Sequence, residues 1–143
     1  MDIRPMTLSD YDAVMALMSG VPGVAVRAAD SPPAIGRYLE RNPGLSLVAE
    51  DGGALVGCVF CGHDGRRGYL HHVVVAPAAR GQGVGAAMVA RALDGLAALG
   101  IYKTHLDVFT SNELAIAFWQ HTGWQRRDDI VRFSFNRSDD ADI

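Results

Sequence analysis

The segment Val75-Ala76-Pro77-Ala78-Ala79-Arg80-Gly81-Gln82-Gly83-Val84-Gly85-Ala86 constrains this chain more than any other. It joins an apolar, β-branched run, Tyr69 to Val75, to the longest helical pattern, about Gly83 to Leu99, with an apolar stripe at Val84, Met88, Ala92, Leu96 and Leu99. Alternate glycines between a strand and a helix let the backbone approach a ligand closely and aim unpaired N–H groups at it. With the helix dipole behind them, those groups favour phosphate or pyrophosphate. A further strand, Thr104 to Val108, follows the helix, so strand, helix and strand read as a parallel βαβ unit.

The remaining segments fill out one domain, since 143 residues lie within the ~100–200 typical of one. With 49% apolar and 20% charged residues, the composition excludes intrinsic disorder. Ile3-Arg4 reads as a short strand stopped by Pro5. Ser9-Asp10-Tyr11-Asp12 resembles a capping box before a helix with Val14, Leu17 and Met18 on its apolar face. Ser31-Pro32 opens a second helix carrying Ile35, Tyr38 and Leu39. Leu45 to Glu50, the Asp51-Gly52-Gly53 turn and Ala54 to Cys61 read as a hairpin, followed by a polar turn, Gly62 to Gly68. Asn112 starts a helix from Leu114 to Thr122, ended by Gly123 in the left-handed conformation with Trp124 folded back on Trp119. Val131 to Phe135 supplies a last strand, and residues 136–143 read as a frayed tail. The expected class is α/β (α+β): a single domain, residues 1–135, with a mixed central sheet, antiparallel in its front half, and about four helices.

The formal charge of −3 gives no basic field for a nucleic-acid backbone. No secretory signal and no membrane-spanning window is visible, so a cytoplasmic location without membrane partners is expected. Cys58 and Cys61 form a C-x-x-C pair near His63. They lie in an apolar strand, where residues three apart face opposite ways, so the reading is buried structural thiols with no metal site. A redox or metal protein built on these two cysteines is the outlying alternative.

Three kinds of phosphate loop compete for the glycine segment. A Walker A loop ends in Gly-Lys-[Ser/Thr], whereas this one ends in Gly85-Ala86-Ala87. Gly81-Gln82-Gly83-Val84-Gly85-Ala86 satisfies the dinucleotide fingerprint G-x-G-x-x-A, with Asp107 downstream, but its first glycine stands too far past the strand. The third fits throughout: Arg80-x-x-Gly83-x-Gly85 after Val75-x-Pro77 resembles the R/Q-x-x-G-x-G/A loop of the GNAT superfamily of N-acetyltransferases. Asn112-Glu113-Leu114-Ala115-Ile116-Ala117-Phe118-Trp119-Gln120-His121-Thr122-Gly123-Trp124 is similar to the later family pattern N-x-x-A-x-x-F-Y-x-x-x-G-F. Ile3-Arg4-Pro5 before a helix matches the family opening, and together the matches cover most of residues 1 to 125.

The resemblance implies splayed central parallel strands, acetyl-CoA as cosubstrate, and transfer of an acetyl group to a primary amine of a small molecule or peptide by direct attack in a ternary complex. It assigns Arg80, Gly81, Gln82, Gly83, Val84 and Gly85 to the pyrophosphate, the Val73 N–H to the oxyanion and Val75 to the pantetheine arm. Asn112 offers an amide to the same arm, or only a helix cap. An alkylammonium with a pKa near ~10.4 needs a base at neutral pH. His71 occupies the position that commonly holds the family's glutamate base, and a histidine titrating near ~6.5 can accept the proton. His72, expected on the opposite face, is the second candidate; bonding within a half-buried sheet is the bland reading of both. Trp119 departs from the pattern, standing where many relatives place a tyrosine that protonates the departing thiolate. An indole N–H is no general acid, so Tyr102, His121 or water takes that role, or none is used. The departure also motivates an alternative, a non-catalytic acyl-CoA-binding sensor. The acceptor would be selected by the two N-terminal helices, their connection from Gly20 to Asp30, the Gly62 to Gly68 turn and the C-terminal strands, with Asp64, Arg66, Arg67 and Asp107 tuning it. A homodimer is compatible with the sequence and not required by it.

Overall fold

The computed structural model describes residues 1–143, which form two units, Met1–Leu106 and Asp107–Ile143. In the first unit β1 (Asp2–Pro5), β2 (Leu47–Asp51), β3 (Ala54–His63), β4 (Gly68–Val75) and β5 (Thr104–Leu106) lie side by side in chain order. Neighbours pair antiparallel up to β4, and β4 with β5 is parallel. Helices α1 (Tyr11–Ser19) and α2 (Pro32–Arg41) separate β1 from β2, and α3 (Val84–Ala98) crosses from β4 to β5. The one parallel pair, β4 with β5, is bridged by α3, because a parallel return needs a crossover.

Alternation along β3 shows where the core sits. Cys58 and Phe60 join Val14 and Met18 of α1, Ile35 of α2, and Met6, Val48 and Val74 in one buried cluster. The next residue along, Gly57, faces the other way, toward Met88 of α3. Helices therefore cover both faces, which is why the strand reads as an unbroken apolar run. Cys58 and Cys61 are both fully buried and point to opposite faces. Burial pushes both thiols up to about 12, so they stay protonated. On α3, Val84, Met88, Ala92 and Leu96 are buried, whereas Leu99 caps the helix and is 57% exposed.

Close approach of α3 and β5 to β4 depends on one missing side chain. A Cβ at Gly68 would stand 2.5 Å from the Leu96 side chain and 2.7 Å from Thr104 Oγ1. Gly68→Ala is expected to cost about 1–3 kcal/mol by overpacking. It would show as a lower urea midpoint at unchanged slope.

The capping box lies two residues earlier than Ser9 to Asp12, at Thr7 and Asp10, and α1 itself starts at Tyr11. Asp10, at the end of the short turn Leu8–Asp10, accepts the Thr7 N–H at 2.9 Å, so its carboxylate caps the preceding turn. Arg4 of β1 holds the same carboxylate at 2.8 and 2.9 Å and reaches Glu50 of β2. At Ser31 the expectation is met, its hydroxyl accepting Ala34 N–H at the start of α2.

The second unit holds α4 (Glu113–His121). Asn112 Oδ1 accepts the Ala115 N–H at 3.2 Å, capping the helix. At the other end Gly123 is left-handed (φ 94°), with its N–H on the Gln120 carbonyl at 3.2 Å and the Trp124 N–H on that of Trp119 at 2.9 Å. These two bonds are a Schellman cap, and the Trp119 and Trp124 rings meet at 5.0 Å. Val131 to Phe135 is a correction: residues 131–135 form no strand. Their alternation suits a half-buried strand, but a strand also needs an edge to pair with, and none pairs here. β5 likewise ends at Leu106 rather than Val108. No helix is long and apolar enough to cross a membrane.

Candidate active site

The site grows from the far end of β4. β5 pairs with β4 only at Gly68, Tyr69 and Leu70, so residues 71–75 have no β5 ladder partner, as the splayed-strand expectation required. The Ala76 N–H bonds the Val56 carbonyl at 2.8 Å, which places Ala76 toward β3 and, by alternation, turns Val75 to the opposite edge. Arg80 Nε donates to the Val75 carbonyl at 3.2 Å, tying the loop back to the strand end.

Beyond the turn Pro77–Ala79, Gly81 and Gly83 both adopt φ 78°, a left-handed conformation that suits glycine. A Cβ at either would meet no atom within 4 Å, so their outer side is open space. Gly83 is the N-cap of α3, and the helix proper begins one residue later than expected. The Ala87 N–H is the first to bond back, to the Gly83 carbonyl at 3.0 Å. The N–H groups of Val84, Gly85 and Ala86 precede it in the first turn, with no carbonyl one turn back to accept them. The three glycines therefore divide: Gly81 and Gly83 shape the loop, whereas Gly85 is buried within the helix.

The two histidines require the main correction. Val74 pairs with Cys58 and His71 with Phe60, so His72 and Val73 together oppose Val59 in a β-bulge of β4. His72 sits at φ 49°, the one non-glycine residue with positive φ. The extra residue resets the alternation, and His71 and His72 face the same side of the sheet rather than opposite sides. His71, exposed, lies edge-on to Tyr38 of α2 at 5.9 Å and stacks with Tyr69 at 6.5 Å. The His72 ring lies edge-on to Phe60 at 5.6 Å.

His72 Nε2 lies 2.9 Å from Asp30 Oδ1, and its side chain keeps 22% exposure while that of Asp30 keeps 8%. Asp30 Oδ2 accepts the Arg27 N–H at 3.0 Å, and the Tyr11 hydroxyl donates to the Asp30 carbonyl at 2.6 Å. Burial alone would raise the Asp30 pKa, but the hydrogen bonds from His72 and Arg27 outweigh it and hold the carboxyl below its ordinary 3.8. Asp10 is also depressed, chiefly by its hydrogen bonds with Arg4. Groups lowered on folding add stability that is present above the ordinary value and lost as pH falls through the folded one. Resistance to urea is accordingly expected to weaken as pH drops below about 4. Asp10→Asn should flatten that acid dependence, a change checked by urea midpoints between neutral pH and pH 3.

Sequence reasoning did not single out Asp30, which ends the 3-10 turn Ala28–Asp30 between α1 and α2, 42 residues before His72. Of the other expected residues, Asn112 caps α4, Trp119 packs on Trp124, and Tyr102 is 83% exposed. Asp64 Oδ1 accepts the Arg66 and Arg67 N–H groups at 2.8 Å each, so it shapes its turn.

Residues 13–124 match the acetyltransferase (GNAT) family. An acetyltransferase of Pectobacterium atrosepticum is 34% identical over 132 residues, covering 92% of each chain. The PaiA N-acetyltransferase of Thermoplasma acidophilum, solved with coenzyme A, superposes with a TM-score of 0.78 at 17% identity, over 89% of this chain and 91% of that one. An aminoglycoside N-acetyltransferase solved with CoA gives 0.74 at 20% identity, over 96% and 95%.

Proposed function

Because the chain belongs to the acetyltransferase (GNAT) family and is an acyltransferase, we propose that it moves an acetyl group from acetyl-CoA to a primary amine of a small molecule or peptide, by direct attack in a ternary complex. The observation that carries this reading is the continuity of the β4 edge beyond its β5 ladder, residues 72–75, with an open glycine turn and the N-terminus of a 15-residue helix. Such a run suits an elongated ligand with an amide-bearing arm and a pyrophosphate, and two structural neighbours are recorded with CoA.

Acetyl-CoA supplies the activated thioester. The N–H groups of Val84, Gly85 and Ala86, with the Gly81-Gln82-Gly83 turn and Arg80 beside them, hold the pyrophosphate at the positive end of α3. Val75 presents its N–H to the pantetheine arm, and the Val73 N–H receives the developing oxyanion. The β4 histidines supply the base. The acceptor approaches along α2, where Ala34, Arg37, Tyr38, Glu40 and Arg41 line an open concavity of about 750 Å³ and Tyr38 touches His71.

Release of CoA thiol is the test, with acetyl-CoA against polyamines, amino acids, aminoglycosides and peptide N-termini. Turnover with an amine, and initial-rate lines that intersect when both substrates are varied, are expected. Binding without turnover across the panel would favour the sensor, and parallel lines would exclude direct attack. Trp119→Phe is expected to leave kcat unchanged in the same assay, because Trp119 serves as a packing partner of Trp124.

A further inference from the structure

Resting on the amine-transfer reading above, we propose that Asp30 is a positioning residue for the reaction, its carboxylate holding His72 in the Nε2–H tautomer so that Nδ1 is the base. An ionised carboxylate offers acceptors only, so the 2.9 Å contact requires the hydrogen on His72 Nε2. In the neutral ring the lone pair then resides on Nδ1. Asp30 cannot swing away without losing the Arg27 N–H on its other oxygen, and the Tyr11 hydroxyl fixes its backbone. The His72 side is equally constrained, since the bulge at φ 49° brings its ring onto the α1 and α2 face, against Phe60. A non-glycine residue kept in this sparsely populated region is a frequent mark of a functional site.

The base is thereby placed one residue before Val73, whose N–H the proposed function assigns to the oxyanion. As the amine nitrogen bonds to the thioester carbonyl carbon, His72 Nδ1 takes the proton that the nitrogen sheds. The C–S bond breaks with its electron pair on sulfur, and CoA leaves as the thiolate. The α1–α2 connection is thus tied to the chemistry through Asp30.

Asp30→Asn tests the role because the two oxygens have different partners. The Arg27 N–H is a fixed donor, so the new amide keeps its carbonyl there and turns its NH2 on His72. That arrangement makes Nε2 an acceptor and drives the ring to the Nδ1–H tautomer, without a base at Nδ1. Nitrogen-15 NMR of the histidine rings in the intact chain, with no substrate added, is expected to read Nε2–H for wild-type His72 and Nδ1–H for Asp30→Asn. With the panel amine that turns over fastest, Asp30→Asn should lower kcat about a hundredfold at unchanged KM for acetyl-CoA. His72→Gln, which keeps an N–H donor for Asp30 but cannot take a proton, should lose as much and guards against a folding defect in the first variant. Wild-type kcat in either variant, or an Nδ1–H ring in the wild type, would overturn the proposal. If no amine is turned over, the transfer reading and the base role fall together, while the tautomer and its dependence on Asp30 still report the positioning contact separately.

Discussion

Gly83→Asp is expected to raise the acetyl-CoA KM by about thirtyfold or more, the largest effect any single change in the loop should produce. Gly83 is the N-cap of α3 at φ 78°, and its outer side opens onto the space assigned to the pyrophosphate. A carboxylate there competes with the phosphates for the same N–H groups and repels them at close range. Two such effects of about 1 kcal/mol each amount to roughly thirtyfold. Gly83→Asn separates charge from shape: it has nearly the same size, tolerates the left-handed conformation comparably and carries no charge. Its KM should rise only a few-fold, and only the aspartate effect should shrink with added salt. Equal KM values for the two variants would remove the pyrophosphate from this helix end.

That experiment probes the part of the molecule most legible in the sequence, and the reason is local. Gly81 and Gly83 need positive φ, Pro77 needs a turn, and the apolar stripe from Val84 to Leu96 needs a helix; each constraint acts within a few residues. The same is true of the Ser31 cap and of the Gly123 turn with its Trp119–Trp124 contact. The face that carries His71 and His72 is not legible, because it depends on a register slip. Nothing in Tyr69-Leu70-His71-His72-Val73-Val74-Val75 announces a bulge, yet one extra residue opposite Val59 moves His72 to the face of His71. Once it is there, its partner comes from a connection 42 residues away. Alternation read from sequence assumes an unbroken ladder, so a bulge inverts its conclusion for every residue on one side. Val131 to Phe135 shows the complementary limit, since a strand-like period cannot supply the neighbouring edge a strand must pair with.

Phe60→Ala carries the largest expected cost to folding. The ring is 2% exposed and sits within the cluster formed by α1, α2 and the sheet, 6.2 Å from the Tyr38 ring and 5.6 Å from that of His72. Truncating a buried phenylalanine typically costs about 3–5 kcal/mol, because the lost burial is compounded by the cavity left behind. For a domain of this size the melting temperature should fall by about 10–20 °C, measured by circular dichroism. A loss of that order is a large share of a typical total stability of about 5–15 kcal/mol. Phe60→Leu keeps most of the volume and should cost less than about 1.5 kcal/mol, while removing the flat surface against which His72 rests. The pair of variants therefore separates two roles of one side chain. If the ring serves only the core, the leucine variant keeps both fold and kcat. If it also holds His72 over the bulge, the leucine variant stays folded and loses kcat at unchanged acetyl-CoA KM, the result expected from the edge-on contact. A melting temperature within a few degrees of wild type in the alanine variant would contradict the placement of Phe60 at the centre of the core.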